Sequence, residues 1–326
     1  MALSASFNYS STAAQIIKRA LQDIGVVVAG ESVDSDDEAC ALERLNDIVK
    51  QWSNPADGSE GLKVWLRKFV YLFLGKGDRT YTLGPSGSNA TESYSTTTLS
   101  AAEAAGQTVL SVTTSTGMTA GDILGVELTT GEIEWKVVDS TGAGTVTVTV
   151  ALIGAASSGA RVFWYTTALA FKPVEILTAV LRDSSNKDDP ITVYAREAFR
   201  DFELGVSDKT VESDPTALLY EPKRLTGLVT LDSAASDVTK VIRMIVISPA
   251  DDLDASSDDL LFPNEWFAAL EWEVARRVAP VFEKQWTQDR QSNWEQATTI
   301  ARRINPSGYR GGYAGAQDPD ECDPSL

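Results

Sequence analysis

From Leu62 to Ile247 the apolar residues recur with a period of two, and nothing else in this sequence limits the fold so sharply. The purest instance is Thr145-Val146-Thr147-Val148-Thr149-Val150, where every second side chain is apolar, as on a strand with one buried face. Further strand-like runs are Phe69–Leu74, Thr80–Leu83, Val109–Val112, Ile123–Leu128, Ile133–Val138 and Val162–Tyr165. Val174–Leu181, Ile191–Tyr194, Leu228–Leu231 and Val241–Ile247 complete the series. Gly, Ser, Asp and Asn punctuate them at short spacing, which predicts sandwiches or small barrels rather than a parallel sheet. Residues 91–165 are rich in Thr, Ala, Gly and Val and poor in Lys and Arg, so they read as a separate small β unit inserted into a larger one. One short helix is expected near Arg196–Phe202.

At both ends the period changes to that of a helix. Thr12 followed by Gln15 fits a capping box, and Ala13, Ile16, Ile17, Ala20, Leu21 and Ile24 form one stripe behind it. Gly25 stands where a left-handed residue stops a helix. A second start is expected at Ser35, with Glu38 three residues on and Asp36 and Asp37 in a first turn that favours negative charge. Leu42, Leu45, Val49 and Trp52 give its apolar face, and Asn54-Pro55 closes it. Near the other end Pro263 suits a first helical turn, and Trp266, Phe267, Leu270, Val274 and Val278 follow at spacings of three and four until Pro280. From about Val281 to Ile304, Trp286, Trp294, Ala297, Ile300, Ala301 and Ile304 form the expected buried side. Short helices with one narrow stripe cannot bury themselves alone, so the four predict a helical bundle.

The expected fold class is therefore α+β: a helical bundle built from both chain ends, with a large inserted all-β region, sandwich plus small barrel-like unit. Its parts are the bundle (residues 1–61 and 258–306), a β domain (62–90 and 166–257), the inserted unit (91–165) and an extended C-terminal arm (307–326).

Composition excludes much chemistry. The chain of 326 residues has no histidine, so no Ser-His-Asp or Cys-His relay and no imidazole ligand for zinc exist. Two cysteines, Cys40 and Cys322, make neither a zinc site nor a disulfide framework and fit a reducing compartment of origin. With 28 basic against 46 acidic side chains the net charge is −18, opposite to what gripping a nucleic-acid backbone needs. A passage through which DNA must slide benefits from walls that do not bind it. The apolar stretches fall well short of the roughly 20 residues that span a bilayer, and the N-terminus shows no secretory pattern.

Local motifs are sparse. Asp251, Asp252, Asp254, Asp258 and Asp259 offer carboxylates, but the run lacks the glycine and terminal glutamate of a calcium loop and reads as a solvated connection. The cluster from Asp34 to Glu38 reads as helix capping. Gly75-Lys76-Gly77 and Gly142-Ala143-Gly144 lack the other positions of a nucleotide fingerprint and read as hairpin turns. No catalytic, cofactor-binding or metal-binding residue is assigned, and no cofactor is expected. Trp135 and Trp164, in the inserted unit, are kept as surface-binding candidates because four other tryptophans fall on buried stripes.

The two ends carry a resemblance. Ala14-Gln15-Ile16-Ile17-Lys18-Arg19-Ala20-Leu21-Gln22-Asp23-Ile24-Gly25-Val26, an acidic linker and Glu38-Ala39-Cys40-Ala41-Leu42-Glu43-Arg44-Leu45-Asn46-Asp47-Ile48-Val49-Lys50-Gln51-Trp52 resemble the start of the head-to-tail adaptors of tailed, above all short-tailed, bacteriophages. These proteins are also called tail accessory factors or packaged-DNA stabilisation proteins. Phe262-Pro263-Asn264-Glu265-Trp266-Phe267-Ala268-Ala269-Leu270 and then Arg277-Val278-Ala279-Pro280 resemble the family's return after its β insertion. About 100 residues at the ends are covered closely, the β region only by pattern, and compact members lack the inserted unit.

The resemblance implies a non-enzymatic virion protein of the neck between head and tail, in the host cytoplasm before assembly. Its partners would be the portal protein, tail or nozzle proteins, and copies of itself in a ring, usually a dodecamer. Double-stranded DNA would pass through the channel without specific binding, and no membrane is implied. The Gly/Tyr-rich segment from Ser307 reads either as a plain disordered tail or as an arm that orders on a partner. On the second reading Arg302, Arg303, Tyr309, Arg310 and Tyr313 are the portal-interaction candidates. Two rival readings are a glycan- or receptor-binding tail component, with Trp135 and Trp164 as contacts, and a carboxylate-driven cell-wall hydrolase, for which the 46 acids single out no pair.

Overall fold

The structure is a computed structural model, and it describes residues 10–52, 66–204, 212–260, 262 and 264–304. Two compact units divide the chain, Met1–Trp65 with Ala250–Leu326, and Leu66–Pro249.

The first unit is helical. Its helices are α1 (Ala13–Asp23) and α2 (Ser35–Trp52) from the start of the chain, then α4 (Phe267–Val278) and α5 (Gln288–Ile304) from its end. Helix α4 packs against the other three. At α1 the Thr12 hydroxyl accepts from the Gln15 amide at 3.3 Å, but Gln15 Oε1 accepts from the Ser11 hydroxyl, so only half of the expected capping box forms. Beyond it Gly25 adopts φ +74°, and the amides of Gly25 and Val26 return to the carbonyls of Gln22 and Leu21, both at 2.9 Å. That is a Schellman ending, which a side chain at residue 25 would strain. The cap of α2 is Asp34, whose Oδ1 accepts from the Asp36 amide at 3.0 Å, one residue before the expected start. The expected acidic connection is tied down at several points: Lys50 reaches Asp252 at 2.5 Å, and Asn46 brackets Leu253 with two hydrogen bonds of 2.9 Å.

Among the described residues the second unit holds fourteen strands and one helix. In chain order they are β1 (Arg67–Phe73), β2 (Thr80–Leu83), β3 (Ala90–Thr91), β4 (Ser95–Thr98), β5 (Val109–Ser111), β6 (Ile123–Glu127) and β7 (Ile133–Gly142). Then follow β8 (Thr145–Val148), β9 (Arg161–Tyr165), β10 (Glu175–Arg182), β11 (Asp188–Tyr194), helix α3 (Arg196–Leu204), β12 (Ala217–Pro222), β13 (Gly227–Leu231) and β14 (Val241–Ile247). An eight-stranded sheet has the order β2-β13-β12-β11-β10-β14-β1-β3, antiparallel except between β11 and β12. A six-stranded sheet has the order β4-β9-β6-β7-β8-β5. Its two edges meet where Leu99 pairs with Val112, and the Thr113 amide reaches the Thr98 carbonyl at 2.8 Å.

Each sheet buries alternate residues, as the period of two requires. Val70, Leu72, Leu181, Val229, Met244 and Val246 fill one interior, and Leu110, Leu124, Val126, Val146, Val148 and Val162 the other. Gly142-Ala143-Gly144 is a hairpin turn between β7 and β8. Gly75-Lys76-Gly77 is a turn without a hairpin, because β1 pairs with β14 and β3 while β2 pairs with β13.

The expected fold class is corrected by this architecture. Among the described residues the fold is mostly β, in two curled sheets, one barrel-like and one a half-barrel, with only 24% in helices; it is not a helical bundle carrying an inserted β region. Amphipathic stripes report that a helix has a buried side, not how much of the molecule's interior that side builds. Helices α1 and α4, of 11 and 12 residues, are short, whereas most buried apolar side chains lie in the β unit, on its strands and the turns between them. Residues 281–287 are not helical, and Ile300, expected to be buried on α5, is 48% exposed because Ala301 and Thr298 take the inner side. Pro263, placed in the first turn of α4 by sequence, lies outside the described residues.

Candidate functional site

Charged side chains gather within the helical unit, on α4. Its sequence Glu271-Trp272-Glu273 is followed by Arg276-Arg277, so Glu273 has basic partners three and four positions on, where a helix brings side chains together. Glu273 is only 3% exposed. Its Oε1 accepts from Arg276 at 2.8 Å and Arg277 at 2.9 Å; its Oε2 accepts from Arg276 at 3.1 Å and the Trp294 indole at 2.7 Å. Four donors occupy the roughly four lone-pair positions of a carboxylate. Burial alone would raise the pKa of Glu273, but the two guanidiniums and the indole N–H outweigh it and hold the carboxyl below its ordinary value. Arg277 continues to the Gln51 side chain of α2, and Arg276 lies 4.6 Å from the centre of the Trp294 ring. One carboxylate thus fastens α2, α4 and α5.

A second carboxyl group of α4 meets α1. Asp23, the last residue of α1, shares a side-chain hydrogen bond with Glu271, and its Oδ2 is buried without a partner among the described residues. Burial raises both, and the Asp23 charge adds to the rise at Glu271, which is pushed up to about 7. Arg19, 3.9 Å from Glu271, and Arg290 act against the rise. Two carboxyls joined by a hydrogen bond hold one proton between them, as like charges at that distance disfavour double ionisation. Sequence reasoning did not single out these groups. The spacing of Glu273 to its arginines was a local signal; that of Asp23 to Glu271 was not.

The residues singled out by sequence fall in separate places. Arg302 is exposed in the last turn of α5 and Arg303 follows it on the same helix, whereas Tyr309, Arg310 and Tyr313 lie outside the described residues. Trp135 is half-buried: its ring lies 4.9 Å from that of Phe73 and 5.7 Å from that of Tyr165. It also crosses its strand partner Gly125, where a Cβ would stand 2.7 Å from the ring, so the glycine makes room for it. Trp164 is half-buried over Gly117 and borders a shallow hollow. The two tryptophans form no common platform in the structure. Among the described residues no helix is long and apolar enough to cross a membrane.

No family model and no curated protein matches the chain. Among solved structures it is similar to VP17, a capsid protein of bacteriophage P23-77, at 10% identity, covering 55% of this chain and 81% of that one with a TM-score of 0.12. A superposition at that score carries no argument about fold or role.

Proposed function

We propose that this chain is a structural head-to-tail adaptor of a tailed bacteriophage, docking as a ring of copies beneath the portal and prolonging the DNA channel towards the tail. The observation that carries the reading is the order of residues 14–52 and 262–280, which resembles that family at both ends of one chain. These two segments also share one compact unit, in which α1 and α2 pack on α4. Charge favours the same role. The helical unit carries 12 basic and 25 acidic side chains, 12 − 25 = −13, against 16 − 21 = −5 for the β unit. A wall of that sign leaves DNA mobile.

The test uses purified particles. Mass spectrometry is expected to find the protein in filled virions, and electron microscopy to place it between portal and tail. Particles assembled without it are expected to lose their packaged DNA. Absence from purified virions overturns the reading.

A further inference from the structure

Within the β unit a groove of about 540 Å³ opens along the segment from Glu92 to Thr96, bordered by β1, β9 and β10. That size lies in the roughly 300–1,000 Å³ range of ordinary ligand sites. Tyr71 of β1 and Tyr94, just before β4, enter it with their rings 4.9 Å apart and edge-on. Among the described residues neither phenol hydroxyl has a hydrogen-bond partner, and both side chains are half-buried. Two guanidiniums line the same groove, each anchored on one side. Arg161 gives Nη1 to the Thr239 carbonyl at 2.8 Å, and Arg182 gives Nε and Nη2 to Asp188 at 2.7 and 2.8 Å. Arg161 Nη2 and Arg182 Nη1 remain without protein partners among the described residues. Anchoring fixes the planes in advance, which lowers the entropic cost of holding a ligand.

We propose that this groove, with Arg161, Arg182, Tyr71 and Tyr94, is a binding site for a carboxylated saccharide. Guanidinium N–H groups suit a carboxylate, and phenols both donate to and accept from ring hydroxyls. Glu92, at the same groove, is held by Lys68 at 3.1 Å. Asp188 is shared between Arg182 and Arg243, at 2.7 and 3.7 Å. With Arg161 and Lys68, four cations stand against two acids, so the surroundings of the groove favour an anion. The two phenols, which can pair with sugar hydroxyls beside the guanidiniums, favour a carboxylated saccharide over a bare inorganic anion. The Glu92–Ser95 segment also walls a second hollow of about 360 Å³, bordered by Trp164, whose indole offers a face to a neighbouring sugar ring.

The test titrates the full chain by calorimetry with a tetrasaccharide containing glucuronic acid and with a neutral chitin tetrasaccharide. Saturable binding of the acidic ligand is expected, with the neutral one at least about tenfold weaker, the loss of one or two charge-assisted hydrogen bonds. The double variant Tyr71→Phe and Tyr94→Phe removes two hydroxyls and no ring, so the fold is expected to persist by circular dichroism while affinity falls about tenfold. Absence of saturable binding, equal affinity for the neutral ligand, or an unchanged double variant each overturns the proposal. The adaptor reading is tested on particles and this one on the isolated chain, so either fails without the other.

Discussion

In the helical unit the most deeply buried acid, Glu273, is satisfied by charged and aromatic side chains from its own helix and from α5. In the β unit the buried acids turn to nearby backbone and hydroxyl groups. Asp122 accepts from the amide and hydroxyl of Thr119, and Glu103 from the Ser111 amide at 2.7 Å. The first kind of tie joins segments distant in sequence through ionised groups; the second completes a local turn while the apolar interior does the joining. Cohesion of the helical unit therefore depends on protonation and that of the β unit on burial.

Four experiments break or sharpen that contrast. Phe163 is fully buried, with the rings of Phe73 and Tyr94 at 5.2 and 6.1 Å. Phe163→Ala is expected to destabilise the β unit by about 3–5 kcal/mol, read as a lower denaturant midpoint and as faster amide exchange in 66–249. Glu273→Leu takes the carboxylate away from two guanidiniums and an indole and is expected to cost about 2–4 kcal/mol in the helical unit. The partial exposure of Arg276 and Arg277 keeps the cost at that level. Amide exchange in α4 and α5 measures it, and unaltered exchange there would end the comparison.

The third experiment is pH. Glu271 is raised from 4.5 to about 7 in the folded chain, so its contribution is complete below pH 4.5 and is lost as pH rises to about 7. Glu273 is lowered, so its contribution is present above pH 4.5 and lost as pH falls through its folded value. Exchange protection of the helical unit is expected to peak near pH 4.5 and to decline on both sides. With Glu271→Gln the decline towards pH 7 is expected to flatten. The smallest effect is that of Thr12→Ala, about 1 kcal/mol from the lost cap on α1, seen as fraying of its first turn in amide exchange.

Most strands were legible in the sequence because one buried face imposes alternation. β4 was missed: Ser95-Thr96-Thr97-Thr98 has no apolar member, and it is a strand because it pairs with Trp164-to-Arg161 on β9. β12 was missed because Ala217, Leu218 and Leu219 are buried in succession, which erases the period. Sheet order was not legible at all, since neither the pairing of β1 with β14 nor the parallel contact of β11 with β12 leaves a local trace. The groove is the extreme case. Residues 71, 94, 161 and 182 come from separate stretches of chain, and each alone is an ordinary strand or loop residue. The Glu273 tie, by contrast, was written in a spacing of three and four.

The meeting of Leu99 with Val112 closes the six-stranded sheet on itself. A closed sheet has no row of unpaired amides and carbonyls there for another chain to zip onto. Strand-to-strand addition is blocked at that seam, so a partner meeting it there would have to use side chains, and single outward substitutions are expected to weaken such a contact.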